Sequence, residues 1–284
     1  MDQRFVQGIL YVPTLPTVLT RVLNLLEEEN SSAGDLERII QHDQALSSKV
    51  LSVANSAYYG FRQQIDTVRR AVVALGFDEI RSICLGAGLL GFLQQNAFRD
   101  PDFAGELWLH SLAVAEATRI IAVRTNSDEV DRAFTAGLLH DLGKVVLAAF
   151  FPDDLEALLS LQEQEAIAYH DAEIALGMEH WEIGKVLAGH WELPLVLEEA
   201  IGFHHNPSPS QTYFQLTAAV HLANELAHQL GIGQAGDDQH LGACAPEALA
   251  ILEGGKADLD SIRDELQARR EGIESLWRTL VSKG

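Results

Sequence analysis

The chain has 284 residues, 41 acidic against 20 basic side chains, a formal net charge of −21 and 47% apolar residues. That balance is globular, allows about two domains or one large one with a substantial core, and excludes disorder as the main state. The acidity disfavours nucleic-acid partners, whose affinity rests on Lys and Arg neutralising phosphates. The adjacent basic pairs Arg69-Arg70 and Arg269-Arg270 sit in helical sequence and read as solvated faces. The longest apolar run, Ile83 to Leu93, has eleven residues, three of them glycine, short of the roughly 18 that a membrane span needs. Residues 1–13 lack a basic segment followed by an apolar one and a cleavage site. The expected location is the cytoplasm, with no membrane contact. Cys84 and Cys244 lie 160 residues apart without a CxxC pair, which predicts reduced thiols.

Apolar residues recur at three- and four-residue steps and alternating runs are absent, so the spacing predicts an all-α fold. Pro13 and Pro16 precede a stripe of Val18, Val22, Leu25 and Leu26, and Ser32 with Asp35 is a capping box for a helix carrying Leu36, Ile39 and Ile40. Asp43 caps a third helix over Ala45–Ala54, Asp66 or Thr67 a fourth ending at Gly76, and Asp78 a fifth reaching about Gln95. A break at Asn96–Asp102, containing Pro101, separates these from a long helix over Phe103–Arg124. Helical pattern continues through Val130–Phe150, Asp153–Glu165, Glu182–Gly189, Pro194 to about His204, and Tyr213–Leu230. Gly231–Ala245 reads as a surface connection before tail helices that open at Pro246. The last of them, Asp258–Ser282, carries a stripe of Ile262, Leu266, Ile273, Leu276 and Leu280 that fits either the body of the protein or a second copy in a homodimer. The expected division is an N-terminal helical subdomain over 1–100, a helical core over 101–235 and a helical tail over 236–284.

Gly86-Ala-Gly88-Leu-Leu-Gly91 satisfies GxGxxG in letters, but it lies inside a predicted helix with no strand before it, so close helix packing is the better reading. Cys84 beside it reads as a core thiol. The eleven histidines say more. His110, His140 with Asp141, His180, and His204-His205 stand on or beside successive helices of the second block, as in bundles that project ligands into a shared interior. Imidazoles with a carboxylate suit zinc, iron, manganese or nickel rather than calcium. His221 lies three residues before Asn224 on one helix face and joins the same polar set. His42, His190, His228 and His240 read as surface or packing residues, and His170-Asp171 as a chance dyad.

Gly137-Leu-Leu-His140-Asp141-Leu-Gly-Lys144 resembles the signature of the HD superfamily of metal-dependent phosphohydrolases. Leu15-Pro16, Ile40-Gln-His-Asp43-Gln-Ala-Leu46, Val53-Ala-Asn55-Ser56-Ala-Tyr58-Tyr-Gly60 and Ala74-Leu-Gly76 narrow the likeness to the HDOD family of bacterial signalling proteins. Leu107-Trp108-Leu-His110-Ser111, Glu173, Ala175-Leu-Gly177, His180, Trp191-Glu-Leu-Pro194 and His204-His205-Asn-Pro207 agree, so the likeness spans roughly residues 10 to 230. The resemblance implies an N-terminal helical subdomain leaning on an HD-like helical core, and an output module of signal transduction with receiver or sensor domains as partners. The chain leaves no room for a receiver of its own, so it reads as the output module alone or as part of a longer protein. The resemblance also implies a metal set of His110, His140, Asp141, His180, His204 and His205, with Lys144 on phosphate if the site is active. Its last acidic ligand falls at Asn224, a neutral amide that leaves a dication under-compensated. The expectation is thus a regulatory module with a degenerate pocket that either holds a divalent metal (Fe, Mn, Ni or Zn), a nucleotide or another small molecule, or stays an internal polar network. The rival is a metal-dependent phosphohydrolase acting on nucleotides or cyclic dinucleotides.

Overall fold

The computed structural model describes residues 1–25, 32–94, 99–233, 236, 244–253 and 258–281, and among these the regular secondary structure is helix alone. The chain opens with α1 (Gln3–Ile9), capped by the Asp2 carboxylate, which accepts the Arg4 N–H. Only Phe5 and Ile9 of α1 are buried, too few turns for a periodic pattern to show in the sequence. There follow α2 (Thr17–Asn24), α3 (Ala33–Gln41), α4 (Gln44–Ala54), α5 (Val68–Leu75) and α6 (Phe77–Gln94).

The caps follow local side-chain chemistry. Ser32 accepts the Asp35 N–H while Asp35 takes the Ser32 N–H, a complete capping box for α3. Asp43 caps α4, and Thr67, not Asp66, caps α5, which stops at Gly76 with φ 93°. Asp78 does not cap α6; it sits in the first turn, where its charge faces the positive end of the helix dipole. The buried stripe of α2 is Leu19, Val22 and Leu23 rather than one through Val18, and Leu26 falls outside the described residues. Gly88 lies inside α6, and a Cβ there would stand 2.1 Å from Leu19 Cδ2, so this glycine serves the α2–α6 contact. Cys84 is fully buried, which pushes its thiol pKa up.

The second run of helices is α7 (Pro101–Arg124), α8 (Val130–Leu139), α9 (Leu142–Phe150), α10 (Pro152–Glu165), α11 (Tyr169–Leu176), α12 (His180–His190), α13 (Leu195–Phe203) and α14 (Phe214–Leu230), before α15 (Pro246–Glu253) and α16 (Leu259–Val281). Pro101 starts α7 instead of ending a break: Asp100 caps the Asp102 and Phe103 amides, and proline at the first helical position loses no hydrogen bond. Residues 130–150 are two helices, not one, interrupted by a turn at His140-Asp141. This stretch is long and apolar enough to cross a membrane, yet 89% of its 18-residue window is buried within the chain, as for a core helix. The short α11 went unpredicted. All five stripe residues of α16, Ile262 through Leu280, are buried in the chain itself.

Two compact units divide the chain. One comprises residues 1–14 and 96–268, the other residues 15–95 and 269–284. In the first, α7 packs on α8 and α14, and α12 on α9 and α13. In the second, α6 lies against α2, α4 and α5. There the Asn55 side chain stitches the loop after α4: its Oδ1 accepts the Ile65 N–H at 2.7 Å, and its Nδ2 donates to the carbonyls of Leu51 at 2.8 Å and Ile65 at 2.7 Å. Asn55→Ala removes all three bonds. It should cost about 2 kcal/mol, seen in urea unfolding as a lower midpoint with an unchanged slope.

Candidate metal centre

The site begins with two backbone contacts that only glycine permits. A Cβ on Gly137 of α8 would stand 2.7 Å from Ala115 Cα and 2.8 Å from Val114 O of α7. A Cβ on Gly143 of α9 would stand 1.9 Å from the His180 carbonyl oxygen and 2.9 Å from the Gly184 nitrogen of α12. These approaches bring the turn between α8 and α9 against His110 on α7 and His180 on α12.

Helix ends then aim the rings. His140 follows the last residue of α8, and its Nδ1 donates to the Gly137 carbonyl at 2.8 Å; His204 follows α13, and its Nδ1 donates to the Ile201 carbonyl at 2.9 Å. Each ring thus satisfies a carbonyl orphaned at a helix C-terminus, and each is left as the tautomer with a lone pair on Nε2. His180 opens α12, and its Nδ1 lies 2.7 and 2.8 Å from the two oxygens of Glu173, a fully buried residue of α11. Backbone or carboxylate partners on the outer nitrogen are the usual support of metal-binding histidines.

The inner nitrogens converge. His180 Nε2 lies 3.2 Å from His204 Nε2 and 2.9 Å from His205 Nε2, while Asp141 Oδ1 is 3.1 Å from His180 Nε2 and 3.6 Å from His204 Nε2. On the other side of the carboxylate, Asp141 Oδ2 lies 3.1 Å from Lys144 Nζ, 3.4 Å from His140 Nε2 and 3.9 Å from His110 Nε2. Two groups of side chains could therefore hold a cation, His180 with His204 and His205, and His110 with His140 and Asp141. The donor set fits a borderline transition metal. The buried His140 Nε2 and both Asp141 oxygens have no aligned hydrogen bond, and the Asp141 oxygens are met instead by Lys144 Nζ and His180 Nε2, each at 3.1 Å.

Charge is distributed unevenly among these groups. Burial works to raise the Asp141 pKa, but the neighbouring His140, Lys144 and His180 side chains outweigh it and hold the carboxyl well below its usual range. Burial also opposes a proton on His180, yet Glu173 and Asp141 raise its pKa to about 9. Burial, reinforced by neighbouring positive groups, drops His110, His204 and His205 well below the ordinary histidine value, leaving neutral rings with lone pairs to offer.

The residues read as the metal set, with Lys144, Asn224 and His221, lie in or beside this cluster. Asn224 of α14 accepts from His110 Nε2 through its Oδ1 at 2.8 Å. His221 does not enter the centre: its Nδ1 donates to the His204 carbonyl at 2.8 Å and its Nε2 accepts the Ala245 N–H at 3.0 Å. Lys144 is fully buried against Asp141, in the first turn of α9, where the helix dipole opposes a cation, so the ion pair and not the dipole holds it. His170, set aside as a chance dyad, lies with its ring 4.8 Å from Trp181 and 5.7 Å from His205. These three rings, with Glu182, Phe203 and Glu225, line a pocket of about 430 Å³ beside His205. His228, read as a surface or packing residue, packs: its half-buried ring lies 4.5 Å from that of His110. Glu173 is the partner the sequence left without a role. The signal available was its spacing, since a helix, a glycine turn and a new helix start fit between Glu173 and His180.

An all-helical chain with histidines and an aspartate gathered around an HD turn is an HD-type helical protein. The HDOD domain model matches residues 12–207, and the chain belongs to the HDOD family. It is similar to an HDOD domain protein of unknown function from Geobacter sulfurreducens, at 26% identity with 96% of each chain covered and a TM-score of 0.83. A Marinobacter aquaeolei VT8 protein, provisionally named a signal transduction protein, matches at 25% identity over 96% of this chain and 60% of that one, with a TM-score of 0.80. An uncharacterized Treponema pallidum (strain Nichols) protein is 29% identical over 222 residues, 75% of this chain, which spans 41% of that protein's length.

Gly143→Ala forces α9 from α12 and should cost about 3 kcal/mol in denaturant unfolding. The metal-free protein should be most stable near neutrality. Three histidines that fold neutral, His110, His204 and His205, must take protons below the unfolded histidine value of about 6.5, so stability is lost there. His180 acts oppositely: its raised pKa gives stability that is full below that value and is lost as pH rises through about 9. Urea midpoints measured in chelator from pH 5 to 9.5 should trace a maximum, and a flat profile would count against these assignments.

Proposed function

We propose that the chain is a regulatory module of bacterial signal transduction that works in the cytoplasm by binding, with receiver or sensor domains as partners and an HD-type pocket that holds a divalent transition metal. The observation that carries this reading is Asn224. It occupies the place where the resemblance calls for an acidic ligand, and it engages His110 instead. The residues that would hold the ion come from His110, His140, Asp141, His180, His204 and His205. A bound dication would supply Lewis acidity and neutralise charge on an oxygen ligand. The chain's own residues do the rest: Glu173 fixes the His180 ring, Gly137 and Ile201 carbonyls fix His140 and His204, and burial keeps water from all but the His205 side.

The rival, a metal-dependent phosphohydrolase acting on nucleotides or cyclic dinucleotides, draws support from the pocket beside His205, which has room for a small ligand. Against it, Lys144, the residue that would contact phosphate, is enclosed against Asp141 and does not line that pocket. Metal analysis of the purified protein, followed by hydrolysis assays on nucleotides and cyclic dinucleotides with manganese, iron or nickel, separates the two. The expected result is bound metal without turnover. Turnover that vanishes in the His140→Ala, Asp141→Ala double variant would overturn the binding reading.

A further inference from the structure

The pocket beside His205 has a chemistry that the buried cluster does not use. Its volume, about 430 Å³, falls in the range of small-molecule sites. The Trp181 indole is a fixed wall of it: the His170 ring lies nearly parallel to the indole, 4.8 Å between centres and 23° between planes, and the His205 ring stands edge-on at 5.3 Å and 70°. Phe203, the last residue of α13, adds a second aromatic surface. Aromatic faces carry a negative quadrupole and attract cations.

The full charges in the lining have one sign. Glu182 of α12 and the buried Glu225 of α14 both line the pocket, and among the described residues no lysine or arginine does. Among those residues the Glu182 carboxylate also makes no hydrogen bond or ion pair. Its natural partner on the helix surface is Lys185, three residues on. That side chain is committed elsewhere: its stem packs on Gly202, where a Cβ would stand 2.8 Å from Lys185 Cδ, and its ammonium lies 4.3 Å from the centre of the Phe203 ring. Helix α12 thus gives the pocket a carboxylate while holding the neighbouring cation on an aromatic ring. A phosphate or carboxylate ligand would meet two like charges in a half-enclosed space that screens poorly. A neutral ligand would strip water from both carboxylates without returning a counter-charge. A cation answers both carboxylates and gains the aromatic walls as well.

We propose that this pocket is a binding site for a small organic cation, an amine or guanidine whose charged head meets Glu182 and Glu225 and whose body lies along Trp181 and Phe203. The site rests on the binding reading above and deepens it by naming the ligand class; it requires no ion in the core. The same lining disfavours a nucleotide phosphate as the occupant.

The full chain is titrated calorimetrically with compounds of one shape and different charge: benzylamine and phenylguanidine as cations, benzamide as the neutral form and benzoate as the anion. Titrations are run on protein as purified and again in chelator, where no core ion can draw an anion to the same opening. In both, the cations should saturate at one per chain and bind at least about tenfold tighter than benzamide. In chelator, benzoate should bind more weakly than benzamide. Glu182→Gln, at a half-buried position, should weaken the cations about tenfold and leave benzamide unchanged. Trp181→Leu should weaken benzamide and the cations alike. Circular dichroism and thermal unfolding check that each variant is folded, and the parent selectivity needs no variant. Benzoate or benzamide binding in chelator as tightly as the cations, cation affinity unchanged in folded Glu182→Gln, or no binding of any of these compounds would overturn the ligand class. Those outcomes leave a binding module in place, whereas turnover in the hydrolysis assay strikes that reading itself.

Discussion

A carboxylate removed from water must be met by positive charge, and the centre of this protein is arranged around that requirement at Asp141. Lys144 answers it from the same helix turn, one oxygen against one ammonium at 3.1 Å, while His180 answers from a separate helix at the other oxygen. A pair formed this way is strong only if both members stay dry and aligned. The glycine contact between α9 and α12 meets that condition, because it sets the Asp141 turn and the first residue of α12 at a fixed backbone distance.

The remaining imidazoles use a second economy of the fold. A helix C-terminus has carbonyls without partners, and a histidine placed there can satisfy one with Nδ1 while presenting Nε2 to the interior. His140 and His204 both do so, on α8 and α13. His221 repeats the device across chain elements, taking the carbonyl of His204 itself and holding the start of α15 through Ala245. Local helix termination and construction of the polar centre are therefore one event, and the break between α8 and α9 is the clearest instance.

Membership of the HDOD family sets the fold. A buried lysine, an amide where acid would complete the set, and a pocket walled by Trp181 and His170 make the two sides of one carboxylate chemically distinct.

Helical class, most helix positions, the Ser32–Asp35 box and the Asp43 cap were legible in the sequence because periodicity and capping are settled within about four residues. The short α1 and α11 were not. The motif residues His110, His140, Asp141, His180, His204 and His205 were also legible, as letters with a known spacing. Their grouping into two sides of Asp141 was not. His110 meets Asn224 across 114 residues of chain, and His170 meets Trp181 and His205 only because helices cross, so neither contact leaves a local trace. The sequence by itself determined which helices form and which polar residues they carry. Tertiary structure alone decided that Lys144 is enclosed and that His110 is engaged, because those outcomes depend on how closely helix backbones approach at Gly137 and Gly143.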